Sequence, residues 1–227
     1  MPTITVLYED NHVIAVFKPA GVLAQPTRKA TAWQSRADFS MLDAVKVYLK
    51  EKYKKPSSAF VGLLHRLDRP VSGIMLFAKT SKGASRLSEQ FRNRQVDKTY
   101  HALVAGKPAR SKGILINNLG KDRKTLKAGN YTDGKEAKLY YEVIASNNKY
   151  SLLKVKIEGG KFHQIRAQLS MTGLPIVGDV KYKGERWDNE KAIALCATGL
   201  SFKKATEEEV VTLTIEVPQE WEKYIGF

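Results

Sequence analysis

Residues 65–73, His-Arg-Leu-Asp-Arg-Pro-Val-Ser-Gly, set one carboxylate among cations and turn-forming residues. The stretch lies between an apolar run (residues 59–64) and a β-rich run (residues 74–78). A carboxylate at such a junction is poorly placed for packing and well placed for chemistry. Arg66, Arg69 and His65 flank Asp68, and nearby positive charge favours the charged form of a carboxyl group. An ionised, oriented aspartate acts as a nucleophile or as a base. An Arg–Asp ion pair that pins a loop uses the same residues, and the nine residues alone leave both readings open.

A second dense stretch is residues 159–166, Gly-Gly-Lys-Phe-His-Gln-Ile-Arg. Its two glycines break a strand, and a short helix is predicted from about His163 to Thr172, with Gly173 closing it. Arg166 at the open side of that helix start could pair with Asp68 and orient it. The alternative is a helix cap with a solvated arginine. His163 and Gln164 could hydrogen-bond a loop or a substrate. A third stretch, residues 98–102 (Lys-Thr-Tyr-His-Ala), opens an otherwise aliphatic strand with Tyr100. A tyrosine there offers a flat face for a base and a hydroxyl for proton traffic, or is an ordinary strand aromatic.

The elements that must position these groups are mostly strands. Residues 4–8 and 13–17 are short β-rich runs split by a turn at Glu9-Asp10-Asn11. Residues 25–39, with Trp33, lack periodicity and read as a mobile loop. Ser40 opens a helix with Asp43 three residues on, close to a capping box, and Thr80-Ser81 caps a second. Further strands are predicted at residues 99–105, 138–145, 150–158 and 210–217. In the 150–158 strand, Ser151, Leu153, Val155 and Ile157 share one face and Leu152, Lys154, Lys156 and Glu158 the other. Residues 107–138, rich in Lys, Arg, Gly and Asn, read as a basic, irregular excursion with one weak hairpin. Strands and helices do not alternate regularly, so the expected fold is α+β: a mixed, mainly antiparallel sheet flanked by helices.

Composition narrows the partner. Lys and Arg number 38 against 23 Asp and Glu, a net charge of +15. A polyanion, nucleic acid by default, fits that balance. The single Cys196, in an apolar run, reads as a core residue and excludes a disulfide framework. The four histidines are scattered, and no metal-ligand or phosphate-loop spacing appears, so neither metal nor nucleotide cofactor is expected. No basic-then-apolar leader and no membrane-length apolar run is present, which leads to the expectation of a cytoplasmic protein.

Taken in order, these segments resemble the RluA-type pseudouridine synthases. Residues 6–10 and Lys18-Pro19-Ala20-Gly21 are similar to the family's opening strand pair and KPxG motif. His65-Arg66-Leu67-Asp68 with Ser72-Gly73 resembles HRLDxxTSG. Lys98, Tyr100 and Ala102 resemble the KxYxA strand. His163-Gln164-Ile165-Arg166, then Gly173, Pro175-Ile176, Gly178-Asp179 and Tyr182, resemble the HQIR and GxPIxGDxxY segment. Four motifs in order are specific where one would be weak. The resemblance implies one catalytic domain over residues 1–227, with a central cleft. It implies isomerisation of uridine to pseudouridine in structured RNA, rRNA or tRNA, by a monomer without cofactor. Asp68 would attack the bound uridine, Tyr100 would pack on the flipped base and assist proton removal, and Arg166 would pair with Asp68. Arg66 would enter the RNA stack as the base leaves. His65, Lys18, Lys161, His163 and Gln164 would also meet RNA. The chain departs from the pattern at Val71, where Thr is usual, at Lys161-Phe162, where Arg followed by Ser or Thr is common, and at Gln168, where His is frequent. A catalytically silent RNA-binding protein would share fold and charge. A nucleoside hydrolase would need a second acid near the first, and only Asp68 stands in a motif.

Overall fold

The chain begins with an antiparallel pair, β1 (Thr5–Glu9) and β2 (Val13–Lys18). Their turn is closed by Asp10, whose Oδ1 accepts the backbone N–H groups of His12 (2.7 Å) and Val13 (2.8 Å). This is the usual way an aspartate substitutes for a backbone turn. Helix α1 (Met41–Lys52) starts at Ser40 with both halves of a capping box, Ser40 Oγ accepting from Asp43 N–H and Asp43 from Ser40 N–H. A two-residue strand β3 (Gly62–Leu63) precedes the apolar strand β4 (Ser72–Ala78). Helix α2 (Ser81–Arg92) is capped by Thr80, which accepts from Gly83 N–H (3.0 Å).

The chain continues through β5 (Asp97–Ala105), β6 (Lys112–Lys121), β7 (Ala128–Asn130), β8 (Lys135–Ser146) and β9 (Tyr150–Ile157) to helix α3 (Gln164–Met171). Last come β10 (Leu195–Lys203), β11 (Val210–Thr214) and a short helix α4 (Glu222–Ile225). The computed structural model describes residues 4–26 and 39–226. Most of the loop expected at residues 25–39, including Trp33, lies outside them.

Two compact units result, one of residues 1–96 with 199–215, the other of residues 97–198 with 216–227. In the first, β2 pairs with β1 on one side and β4 on the other, β3 adds to β4, and β11 pairs with β10. Val13, Ala15, Ile74, Leu76, Leu87 and Val96 pack with Leu200, Phe202, Ala205 and Val211 into one core. In the second, strands lie in the order β5-β9-β8-β6-β7, all antiparallel. The fold is thus α+β, with mainly antiparallel strands. Along β9, Ser151, Leu153 and Val155 are buried and Lys154 and Lys156 exposed, as the alternation predicts, but Leu152 on the lysine face is buried too.

Residues 107–138 correct the expectation of an irregular excursion. They hold the whole of β6 and β7 and the start of β8. Ile114 and Ile116 point to solvent, more than half exposed, while Leu115 and Asn117 face the other way. Apolar residues on both faces hide a period of two. The glycines are packing residues too. A Cβ at Gly113 would fall 2.6 Å from the Tyr141 ring, and one at Gly120 would fall 2.8 Å from the Tyr131 ring.

Candidate active site

In the first unit, Asp68 occupies the irregular stretch between β3 and β4 and is half-buried, with Leu67 anchored in the core and Arg66 exposed. The Asp68 carbonyl accepts Val71 N–H (3.0 Å), closing a turn around Arg69-Pro70. The loop is tied to residues 18–22. Gly21 N–H donates to Arg69 O (2.8 Å), and Arg69 Nε donates to Gly21 O (2.9 Å).

Lys18 completes the tie. Its side chain has no exposed surface, and Nζ donates to the carbonyls of Pro19 (2.9 Å), Val22 (2.8 Å) and Arg69 (3.1 Å). Burial pushes its pKa down to about 7; the negative charge of Asp68 opposes that and the Arg69 cation adds to it. The expectation that Lys18 meets RNA is therefore corrected. An ammonium sealed under three carbonyls holds loops and cannot reach a phosphate. His65 also works inward: Nε2 accepts Leu76 N–H of β4 (3.0 Å), and its ring stacks on Phe91 of α2 at 5.0 Å. A nitrogen that accepts carries no proton, so the neutral ring holds its proton on Nδ1.

In the second unit, Tyr100 lies on β5 opposite Val155 of β9 and is 7% exposed. Two residues before it, Lys98 Nζ donates to the Gly159 carbonyl and so ties β5 to the loop before α3. Gln164, at the first turn of α3, is buried. Its Oε1 accepts Lys161 N–H (3.0 Å) and its Nε2 donates to Lys138 O (3.0 Å). Of the two roles left open for Gln164 the structure selects the loop, which corrects its assignment to RNA. Lys161 is half-buried.

His163 adopts a left-handed conformation (φ 51°) and its Nδ1 lies 2.8 Å from Tyr182 Oη. That hydroxyl also accepts Ala128 N–H of β7 (2.6 Å). Arg166 is 5% exposed and not a solvated helix residue. Its Nε and Nη2 bond Asp179 Oδ2 and Oδ1 at 2.7 and 2.8 Å, and its guanidinium lies 5.0 Å from the Tyr182 ring centroid.

Asp179 and Tyr182 were quoted in the resemblance without a role. The structure shows why both stand there. Asp179 precedes a 3-10 turn (Val180–Tyr182), and its carbonyl accepts the N–H groups of Tyr182 (2.9 Å) and Gly184 (2.8 Å). Gly184 is needed because a Cβ would strike Ile176 O at 2.1 Å. The turn thereby aims a carboxylate at Arg166 and a phenol at His163. The sequence signal was an acid and a tyrosine three apart, following a glycine, after the arginine helix.

The first unit therefore assembles Lys18, His65, Asp68 and Arg69 around one loop. The second assembles Arg166, Asp179, Tyr182, His163 and Gln164 at the start of α3. Among the described residues no three His, Cys, Asp or Glu side chains converge as a metal site, and no helix is long and apolar enough to cross a membrane.

The comparisons agree with one another. The family model for RNA pseudouridylate synthase matches residues 12–171. The ribosomal large subunit pseudouridine synthase C of Rickettsia prowazekii (strain Madrid E) is 35% identical over 78% of this chain and 55% of its own length. That of Rickettsia bellii (strain RML369-C) is 31% identical over 93% of this chain and 68% of its own. The ribosomal large subunit pseudouridine synthase D of Pseudomonas aeruginosa is 31% identical over 79% and 53%. The chain thus spans between about half and two thirds of the length of these relatives. Among solved structures, Human RNA Pseudouridylate Synthase Domain Containing 4 superposes with a TM-score of 0.75 at 22% identity, over 96% of this chain and 90% of that one.

Proposed function

Because the chain belongs to the RNA pseudouridylate synthase family, we propose that it isomerises specific uridines of structured RNA to pseudouridine. Ribosomal RNA is the substrate class that the names of its relatives suggest. Asp68 attacks the bound uridine, and the bond between the base nitrogen and the ribose carbon breaks. The uracil turns in place, a carbon of its ring bonds the ribose as the bond to Asp68 is released, the proton on that carbon leaves, and the freed ring nitrogen takes one up. Nothing is added or lost overall, so neither water nor cofactor is consumed.

The observation that carries this reading is the Asp68 loop. A single half-buried carboxylate stands on a turn closed by its own Val71 N–H to Asp68 O bond and tied to Lys18 and Gly21 by three hydrogen bonds through Arg69. A fixed nucleophile is what an intramolecular transfer requires, since misplacement by about an ångström costs on the order of a hundredfold in rate. Tyr100 packs on the target base and assists proton removal. A uridine inside a stem is unreachable, so it must leave its stack, at a cost of a few kcal/mol. Arg66, exposed two residues before Asp68, fills the space it vacates. The exposed cations Lys121, Arg123, Lys124 and Lys127 on the β6–β7 hairpin, with Lys50 and Lys54 at the end of α1, hold phosphates. The reaction takes place wherever its RNA is assembled, which makes the cytoplasm the expected compartment.

The test is incubation with bulk uridine-containing RNA. Pseudouridine should appear without free uracil, and Asp68→Asn should abolish conversion with RNA affinity held within a few-fold. Release of uracil would mean hydrolysis; binding without conversion would mean a silent RNA-binding protein. Turnover by Asp68→Asn above a few per cent of wild type would remove Asp68 from the mechanism.

A further inference from the structure

One aromatic in the second unit is built outward. Phe162, just before α3, is 38% exposed. Its ring lies on the His163 ring with centroids 3.8 Å apart and planes 20° from parallel. The His163 ring is held from two further directions. Its Nδ1 is hydrogen-bonded to the Tyr182 hydroxyl, and the Tyr182 ring meets it edge-on at 5.5 Å. Tyr182 is itself buried against Ala128 and Ala167. The half-exposed phenyl is therefore backed by an imidazole fixed to the core. Since the imidazole covers one face of Phe162, the ammonium of Lys121, 4.5 Å from the ring centroid, lies at the other.

We propose that Phe162 is a stacking platform for an unpaired RNA base, with Lys121 as the cation that takes the adjoining phosphate. This rests on the reading of the chain as an enzyme that acts on RNA. Three observations select a nucleobase with its phosphate. The ring's outer face holds the ammonium of an exposed lysine, which a flat ring can replace. Lys121 begins a hairpin tip that carries four Lys and Arg against one Asp, Asp122. The backing stack is rigid, so a base that lands on it orders little else. Aromatic stacking is also tolerant of base identity, which suits a contact beside the target and not the target itself.

The test is binding, without turnover. A single-stranded RNA carrying one fluorescent 2-aminopurine is titrated into wild type, Phe162→Leu, Phe162→Trp and Lys121→Ala. Phe162→Leu should bind roughly ten- to a hundredfold more weakly and lose the quenching that stacking produces. Phe162→Trp should bind as wild type or tighter. Lys121→Ala should lower the slope of log affinity against log salt by about 0.7 and leave the quenching in place. Melting temperatures should match wild type throughout, because the ring is half-exposed. Equal affinities for wild type and Phe162→Leu would overturn the platform and leave the proposed activity untouched. Failure of the wild type to bind any RNA would overturn both.

Discussion

The buried pair Arg166–Asp179 makes a quantitative test of how this site is held. Both side chains are almost fully buried (6% and 1% exposed), and two short charge-assisted hydrogen bonds join them. Asp179→Asn keeps the shape, but the amide can accept only one of the two N–H groups. Its NH2 then faces the other guanidinium nitrogen, donor against donor, and the buried charge pair with Asp179 is lost. Removing one partner of a buried pair costs about 3–5 kcal/mol. For a chain of this length about 1 kcal/mol moves the melting temperature by roughly 2–4 °C, so a fall of about 6–20 °C is expected. The Tyr182 contact survives the substitution and offsets little of this, since a cation over an aromatic ring contributes about 0.5–2 kcal/mol. Arg166→Met with Asp179→Leu removes both charges and should recover most of the loss, because apolar pairs of similar volume replace buried ion pairs at little cost. Urea titration followed by tryptophan fluorescence measures all three proteins, and conversion of uridine in RNA is assayed alongside. The single variant should be unstable and slow; the double variant should be stable and inactive. A loss below about 1 kcal/mol in Asp179→Asn, or a double variant less stable than Asp179→Asn, would refute the argument that the pair is a buried ionic contact.

Lys18 gives a pH signature. Its folded pKa of about 7, lowered chiefly by burial, lies far below the value of 10.5 that an unburied lysine has. Folding between those values therefore releases a proton, and wild type should gain stability relative to Lys18→Met as pH rises from about 7 to 10. Urea midpoints at pH 6 and pH 9 check this, and an unchanged difference between the two proteins would contradict it. Activity should move the opposite way, since a neutral amine has two N–H groups for three carbonyls and the Asp68 loop loosens; kcat measured against pH should fall on the alkaline side and the fall should be absent from Lys18→Arg. Glu9 gives the acid-side counterpart. Burial raises its pKa, but hydrogen bonds from Lys52, Lys79 and Tyr53 outweigh that and bring it down to about 2. Its contribution is full above about pH 4.5 and is lost as pH falls towards 2, so Glu9→Gln should cost roughly 1–3 kcal/mol at pH 7 and much less at pH 2.5, read from urea unfolding at both.

Much of the local structure was legible because it obeys short-range rules. Asp10, Ser40 with Asp43, and Thr80 each serve the backbone group that their spacing predicts. The Asp68 loop was legible as a carboxylate among cations. Lys18 was not, because a lysine beside Pro-Ala-Gly reads as a solvated charge. Only the fold shows that three carbonyls converge on it from residues 19, 22 and 69. A hairpin was legible in residues 107–138, but the length of β6 was hidden by its glycines, which read as breakers although aromatic rings lie across them. Arg166 was placed correctly on a short helix, yet the carboxylate bonded to it comes from a 3-10 turn thirteen residues later, which no helical period reveals.

The first unit is discontinuous in the chain, and that has a consequence during synthesis. Its first 96 residues supply Val13, Ile74, Leu76 and Leu87, but the residues that close the same core, Leu200, Phe202 and Val211, come after the whole of residues 97–198. At about 5–20 residues per second the nascent chain waits roughly 5–20 s with that apolar face uncovered. The later-encoded second unit is contiguous apart from its last twelve residues, so most of it leaves the ribosome before the earlier-encoded first unit can finish. The order of appearance and the order of completion are reversed. A chain truncated near residue 198 would lack Leu200, Phe202 and Val211 and so leave the core of the first unit open.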